Sequence, residues 1–164
     1  MKVLAISGTP GTGKTSLAKK LSKKLNFPIL DVKKFIKTKQ LQESYDKKRK
    51  TNIIDTSKLN KELIKEITKV KKEHNPKGII IDSHLSHYLP KKHITLCIIT
   101  KCSLKTLNTR LKKRRYSKAK VRENLDAEIF DTCHIEAKEK HHNIIVITTT
   151  NTLNINKLSK KIKW

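Results

Sequence analysis

VLAISGTPGTGKTSLAKKLSKKL, residues 3–25, is the stretch on which the reading of this chain turns. Val3, Leu4, Ala5 and Ile6 form an apolar run of buried-strand length, and Leu17, Ala18, Leu21 and Leu25 recur at helical spacing. Between them, Gly8, Thr9, Pro10, Gly11, Thr12, Gly13, Lys14 and Thr15 fit GxxxxGK[ST]. In that pattern successive backbone N–H groups curl around phosphate oxygens. Glycine reaches the positive-φ conformations such a curl needs without steric cost, and the following helix points its positive dipole end at the same anion. The order strand, glycine loop, helix predicts a nucleoside-triphosphate site. In it Lys14 reaches the β- and γ-phosphates and the Thr15 hydroxyl ligates Mg²⁺.

The chain has 164 residues, one domain of common size with length enough for a real core. Its net charge is +25, with 34 lysines and five arginines. Such a field favours phosphorylated partners: nucleotides, RNA or ribosomal surfaces. The lysines are spread almost evenly, however, in a chain rich in Asn and Ile, so a solvated, compositionally biased surface accounts for much of the charge. No apolar stretch approaches the ~20 residues of a spanning helix, so no membrane partner is expected. The N-terminus runs directly into the first strand without a signal-peptide pattern. Cys97, Cys102 and Cys133 are odd in number and lack CxxC pairing. Cys97 lies in an apolar run and reads as a core residue. A reducing cytoplasm fits this usage.

Further along, Phe27 to Val32 reads as a second short strand, and residues 33–55 carry little sustained periodicity. Leu59, Leu63, Ile64, Ile67 and Val70 resume a helical pattern, with Asp55 and Ser57 available as caps and Asn75-Pro76-Lys77-Gly78 as its break. Ile79-Ile80-Ile81 is a buried strand ending in Asp82-Ser83-His84. Another strand is expected over Ile94–Thr100, then a helix from Ser103 carrying Leu104, Leu107 and Leu111. A long polar helix over about 117–140, the strand Ile144–Ile147 and a short amphipathic C-terminal helix follow. Short apolar strands alternating with helices imply an α/β fold of the P-loop NTPase kind, a central parallel sheet covered by helices on both faces. Nothing marks a second domain within residues 1–164.

Ligands of open α/β sheets bind beyond the carboxyl ends of strands. Asp82 is therefore expected to hold the hydration shell of Mg²⁺, the alternative being a helix N-cap. His84 is a candidate to orient an attacking water or an acceptor phosphate, or a loop-packing residue. His87, His93, His134, His141 and His142 read as surface residues. Four of the five arginines fall within thirteen residues: Arg110, Arg114, Arg115 and Arg122. In a chain that otherwise prefers lysine, retained arginines point to bidentate phosphate contacts. Arg110 and Arg114 are the leading candidates to clamp a moving phosphoryl group. Arg122, beside Glu123, has the alternative of an ion pair on a helix surface. Arg49 lies where an acceptor phosphate could dock.

GTPGTGKTS, YDKKRKTNIIDTSKL, IIIDSH and RLKKRRYSKAKVRENLDAEIFDTCHIEA occur in the order seen in the atypical adenylate kinases, the archaeal and eukaryotic nuclear type related to the coilin-interacting enzyme. The resemblance runs from Val3 to about Thr150. It implies a monophosphate-binding region over about 31–54, with Asp31 and Arg49 in it, and a short lid over about 113–123. It further implies ATP contacts from Gly11, Gly13, Lys14, Thr15, Ser16 and Arg114, and a DxH element in Asp82 and His84. The implied activity is ATP·Mg²⁺ phosphorylating AMP, with ATP hydrolysis as well. Binding of a small-subunit ribosomal protein and pre-ribosomal RNA during ribosome assembly is also implied. Arg115 departs from the family, which usually has glycine before the tyrosine. Alternatives are an ATP-hydrolysing ribosome-assembly factor and a kinase of another small acceptor. An RNA-binding module finds no support, since aromatics are only 4% and offer no stacking platform.

Overall fold

The computed structural model describes residues 1–46, 51–151 and 153–162. Its centre is a five-stranded, fully parallel sheet in the order β2-β5-β1-β6-β7. The strands are β1 (Lys2–Ser7), β2 (Ile29–Asp31), β5 (Gly78–Asp82), β6 (Leu96–Lys101) and β7 (Ile144–Thr148). A parallel sheet must bury both faces, which explains why β1 and β5 are continuous apolar runs. Successive side chains alternate across β1. Leu4 and Ile6 pack with Leu17, Ala18 and Leu21 of α1 (Lys14–Leu25) and Leu158 of α7 (Ile155–Lys161). On the opposite face, Val3 packs with Val32 and Phe35 of α2 (Val32–Thr38) and Leu59, Leu63 and Ile67 of α3 (Thr56–His74). Ala5 meets Ala137 of α6 (Thr132–Glu139) there. Each of these pairings removes apolar surface from water at about 25 cal/mol per Å².

The helix over 56–74 begins as expected, with the Asp55 carboxylate accepting from the N–H groups of Ser57 and Lys58, and ends at Asn75 in the left-handed region. Cys97 is fully buried. Three expectations are corrected. The described residues within 33–55 hold most of α2 and a separate antiparallel ribbon, β3 (Ser44–Asp46) with β4 (Thr51–Ile53). These elements are too short for a periodic signal to build up. The strand expected from Ile94 begins at Leu96. The long polar helix is two helices, α5 (Lys118–Ile129) and α6, because Asp131 takes φ 54 and turns the chain. Aspartate tolerates that left-handed position better than most residues. The remaining helix, α4 (Leu104–Lys113), packs Leu107 and Leu111 against Val121 of α5.

Candidate phosphate-binding and transfer site

The loop 8–15 leaves the carboxyl end of the central strand β1, whose connection runs through α1 to β2 on one side of the sheet, while that of β5 crosses to β6 on the other. Gly13 sits at φ 94 at the start of α1, a conformation a side chain would strain. No side chain caps that terminus and no acidic residue lies in its first turn. The leading N–H groups thus keep the anion-binding capacity of a helix start. Thr15 and Ser16 are exposed there. The Lys14 ammonium folds back on the loop and donates to the carbonyls of Gly8 at 2.7 Å and Thr9 at 2.9 Å. Burial lowers its pKa to about 8, opposed by Cys133 and Asp82 and assisted by the positive charge of Arg114.

Asp82 ends β5 in register with Ile6 of β1 and Asp31 of β2, so two carboxylates stand at adjacent strand ends beside the loop. Asp82 is buried. Burial raises its pKa, while a hydrogen bond from the Thr15 hydroxyl and the charge of Lys14 pull the other way. The alternative role of helix cap falls away, because the chain after Asp82 enters a 3₁₀ turn at Ser86–Tyr88 instead of a helix. Asp31 itself caps α2, accepting from the Lys34 N–H at 3.1 Å, and remains exposed. His84 is exposed at the crowded mouth of the site. Crowding by neighbouring atoms, then the charge of Lys14, depresses its pKa, so its imidazole is neutral at pH 7. The Thr15 hydroxyl and Asp82 carboxylate, adjoining oxygen donors, suit a hard cation such as Mg²⁺.

The arginines divide by geometry. Arg114 ends α4, exposed, and its charge reaches Lys14. Arg110, expected against a transferred phosphoryl group, has its guanidinium engaged elsewhere. It donates to the Thr149 hydroxyl at 3.1 Å, the Thr149 carbonyl at 3.0 Å and the Gly11 carbonyl at 3.4 Å. Thr149 in turn donates to the Thr12 carbonyl at 2.6 Å, so Arg110 braces the loop from behind. Arg115 is exposed at φ 56. Arg122 pairs with Asp126 one helical turn on, not with Glu123. Arg49 lies outside the described residues.

A family model described as an AAA domain matches residues 4–131. The "Adenylate kinase isoenzyme 6 homolog" of Dictyostelium discoideum is 32% identical over 149 residues, 91% of this chain and 81% of its own length. The "Putative adenylate kinase" of Methanocaldococcus jannaschii is 38% identical over 148 residues, 90% and 77%. The chain belongs to this adenylate kinase family. Solved structures agree on the fold. Shikimate kinase from Acinetobacter baumannii superposes with a TM-score of 0.60 at 14% identity, covering 99% of this chain and 90% of that one. Deoxyadenosine kinase from M. mycoides does so at 0.53 and 20%, covering 99% of both. The fold is the α/β P-loop kinase fold, and the protein is a phosphotransferase of the adenylate kinase family.

Within this family member, sequence reading missed the polar scaffold around the loop. The hydroxyls of Thr12 and Thr100 meet at 2.6 Å, and Thr100 also donates to the Ser7 carbonyl at 3.1 Å. Buried Glu128 accepts from the Cys102 N–H at 3.0 Å. His87 and His142, expected at the surface, are buried at 1% and 8% exposure. One His87 nitrogen lies 2.6 Å from the Ser7 hydroxyl and the other 2.9 Å from Glu136, while His142 bonds the His87 carbonyl at 2.8 Å. A buried histidine needs such partners, and these come from residues up to 80 positions away in sequence. Of the other three, His93 and His134 are half-buried and His141 is exposed.

Proposed function

We propose that the chain is an adenylate kinase, transferring the γ-phosphoryl group of ATP to AMP to give two ADP. The observation that carries the reading is the uncapped helix start bearing Lys14 and Thr15, set beside Asp82 at the end of the next strand. ATP lies with its phosphates along Gly11, Gly13, Lys14, Thr15 and Ser16. Held by the Thr15 hydroxyl and, through water, by Asp82, Mg²⁺ would supply positive charge to the phosphate oxygens. Lys14 leaves the carbonyls of Gly8 and Thr9 for the β- and γ-phosphates. Arg114 lies over the transferring group from the short lid at about 113–123, and Arg110 holds the loop still behind it. AMP occupies the region over about 31–54, next to Asp31, with Arg49 as a candidate phosphate contact. Its phosphate is already an anion, so no general base is required and catalysis rests on alignment and electrostatic clamping.

Neutral, exposed His84 beside Lys14 favours a second activity, ATP hydrolysis when no acceptor is bound. The net charge of +25 supports pre-ribosomal RNA and a small-subunit ribosomal protein as further partners. A coupled assay of ADP and inorganic phosphate, run with each nucleoside monophosphate in turn, tests the proposal. Two ADP per AMP consumed, with AMP preferred, is expected. Phosphate release indifferent to every monophosphate would overturn the kinase reading. His84→Gly is expected to slow hydrolysis while ATP affinity by calorimetry stays within about threefold, ~0.6 kcal/mol.

A further inference from the structure

Beside the phosphate-binding loop lies a cluster that phosphoryl transfer does not use. His87 projects from the 3₁₀ turn Ser86–Tyr88, and Cys133 and Glu136 stand one turn apart on α6. A ring nitrogen of His87, the Cys133 sulfur and a Glu136 oxygen all lie within 4.8 Å of one another. Each is also held from behind. The Ser7 hydroxyl fixes one His87 nitrogen at 2.6 Å, and the Tyr88 hydroxyl donates to Glu136 at 2.7 Å. The Cys133 sulfur takes a hydrogen bond from the Gly8 N–H. We propose that His87, Cys133 and Glu136 bind a divalent cation of the zinc type, at a site separate from the oxygen donors Thr15 and Asp82.

The donor set makes the choice of ion. Thiolate with imidazole and one carboxylate suits zinc and its neighbours, whereas magnesium takes oxygen and water. Four-coordinate zinc, with bonds of about 2.0–2.3 Å, needs ligand atoms roughly 3.3–3.7 Å apart. The present 2.9 Å between His87 and Glu136 must open slightly, and no pair exceeding that range must close by more than about an ångström. Outer partners of the kind that Ser7 and Tyr88 supply orient ligands in metal sites. Charge balances too. On binding, the thiol proton leaves to solvent, and one thiolate with one carboxylate neutralises the dication, so the cluster ends with no net charge beside Lys14. Cys133 and Glu136 are only half-buried, so both side chains keep some contact with solvent.

The test uses cobalt(II) as a spectroscopic probe on the whole chain, with excess ATP and Mg²⁺ present so that the nucleotide site is filled. One equivalent of cobalt should bind, with intense visible bands of a four-coordinate ion and a near-ultraviolet thiolate charge-transfer band. Zinc should displace it. Cys133→Ser should abolish the charge-transfer band, and Glu136→Gln should weaken binding by about tenfold or more. Both substitutions fall at half-buried positions. On the unaltered protein, zinc should also protect Cys133, located by mass spectrometry, from a thiol reagent. Absence of stoichiometric binding, a charge-transfer band that survives in Cys133→Ser, or failure of zinc to protect Cys133 would each overturn the site.

Discussion

Lys14 holds its charge against burial, and that sets a pH limit on nucleotide binding. Its pKa in the free protein is about 8, below the ordinary 10.5. Triphosphate favours the charged form, so below pH 8 the ammonium is already present. Above it, binding must take up a proton. With magnesium chelated, ATP affinity by calorimetry is therefore expected to be flat up to about pH 8 and to fall by up to tenfold per unit beyond. Buffers of different ionisation enthalpy should reveal the proton uptake, and flat affinity to pH 10 would contradict the burial of this group. A second residue-level contrast separates charge from shape. Arg114→Lys keeps the charge but loses the planar fork, and turnover should drop tenfold or more, about 1.4 kcal/mol per decade. Arg122→Lys keeps an exposed pair with Asp126 worth at most ~0.5 kcal/mol, and its turnover and melting temperature should stay near those of the unaltered chain. Equal losses at both positions would sink the assignment of Arg114.

The turn between α4 and α5 puts Arg115 in the left-handed region at φ 56, where a Cβ costs about 1 kcal/mol. Arg115→Gly removes the cost and Arg115→Ala keeps it, so the glycine variant should melt about 2–4 °C above the alanine one. Equal melting temperatures would mean that the turn relaxes around the side chain. The local features of the chain differ in how far sequence announces them. Strand, glycine loop and first helix are local signals, as are the Asp55 cap and the Asn75 stop. The break at Asp131 is a single residue adopting a conformation that aspartate allows but does not announce. The same holds for partners. Glu136 was invisible beside Cys133 because its bonds go to His87 and Tyr88, 49 and 48 residues back. Arg110 stands out in a lysine-rich chain by residue type alone, and the expected role is a clamp on the phosphoryl group. Its geometry instead serves the loop backbone through Thr149, a contact that closes only when β7 reaches the sheet edge.

At the scale of the molecule, the +25 charge acts on approach more than on contact. A field of that sign gathers anionic nucleotides, and salt screens it over ~8 Å at physiological strength. Raising ionic strength from about 50 to 300 mM should lower kcat/KM for ATP several-fold while kcat changes little. A kcat/KM indifferent to salt would mean that the lysines are mutually screened and do not steer. The sheet and the ribbon beside it also differ in kind. Leu4 and Ile6, 0% exposed, sit on a strand bonded on both sides. Among the described residues, the β3–β4 ribbon has three residue pairs and no third strand. Two strands alone are at best marginal in water. Transferred to deuterated solvent, the amides of Ser44–Asp46 and Thr51–Ile53 are expected to exchange through local opening, long before those of β1, which wait for the whole domain to unfold. Bound monophosphate, if it rests on that ribbon, will be registered there first, as a slowing of exchange that leaves the strands of the sheet unchanged.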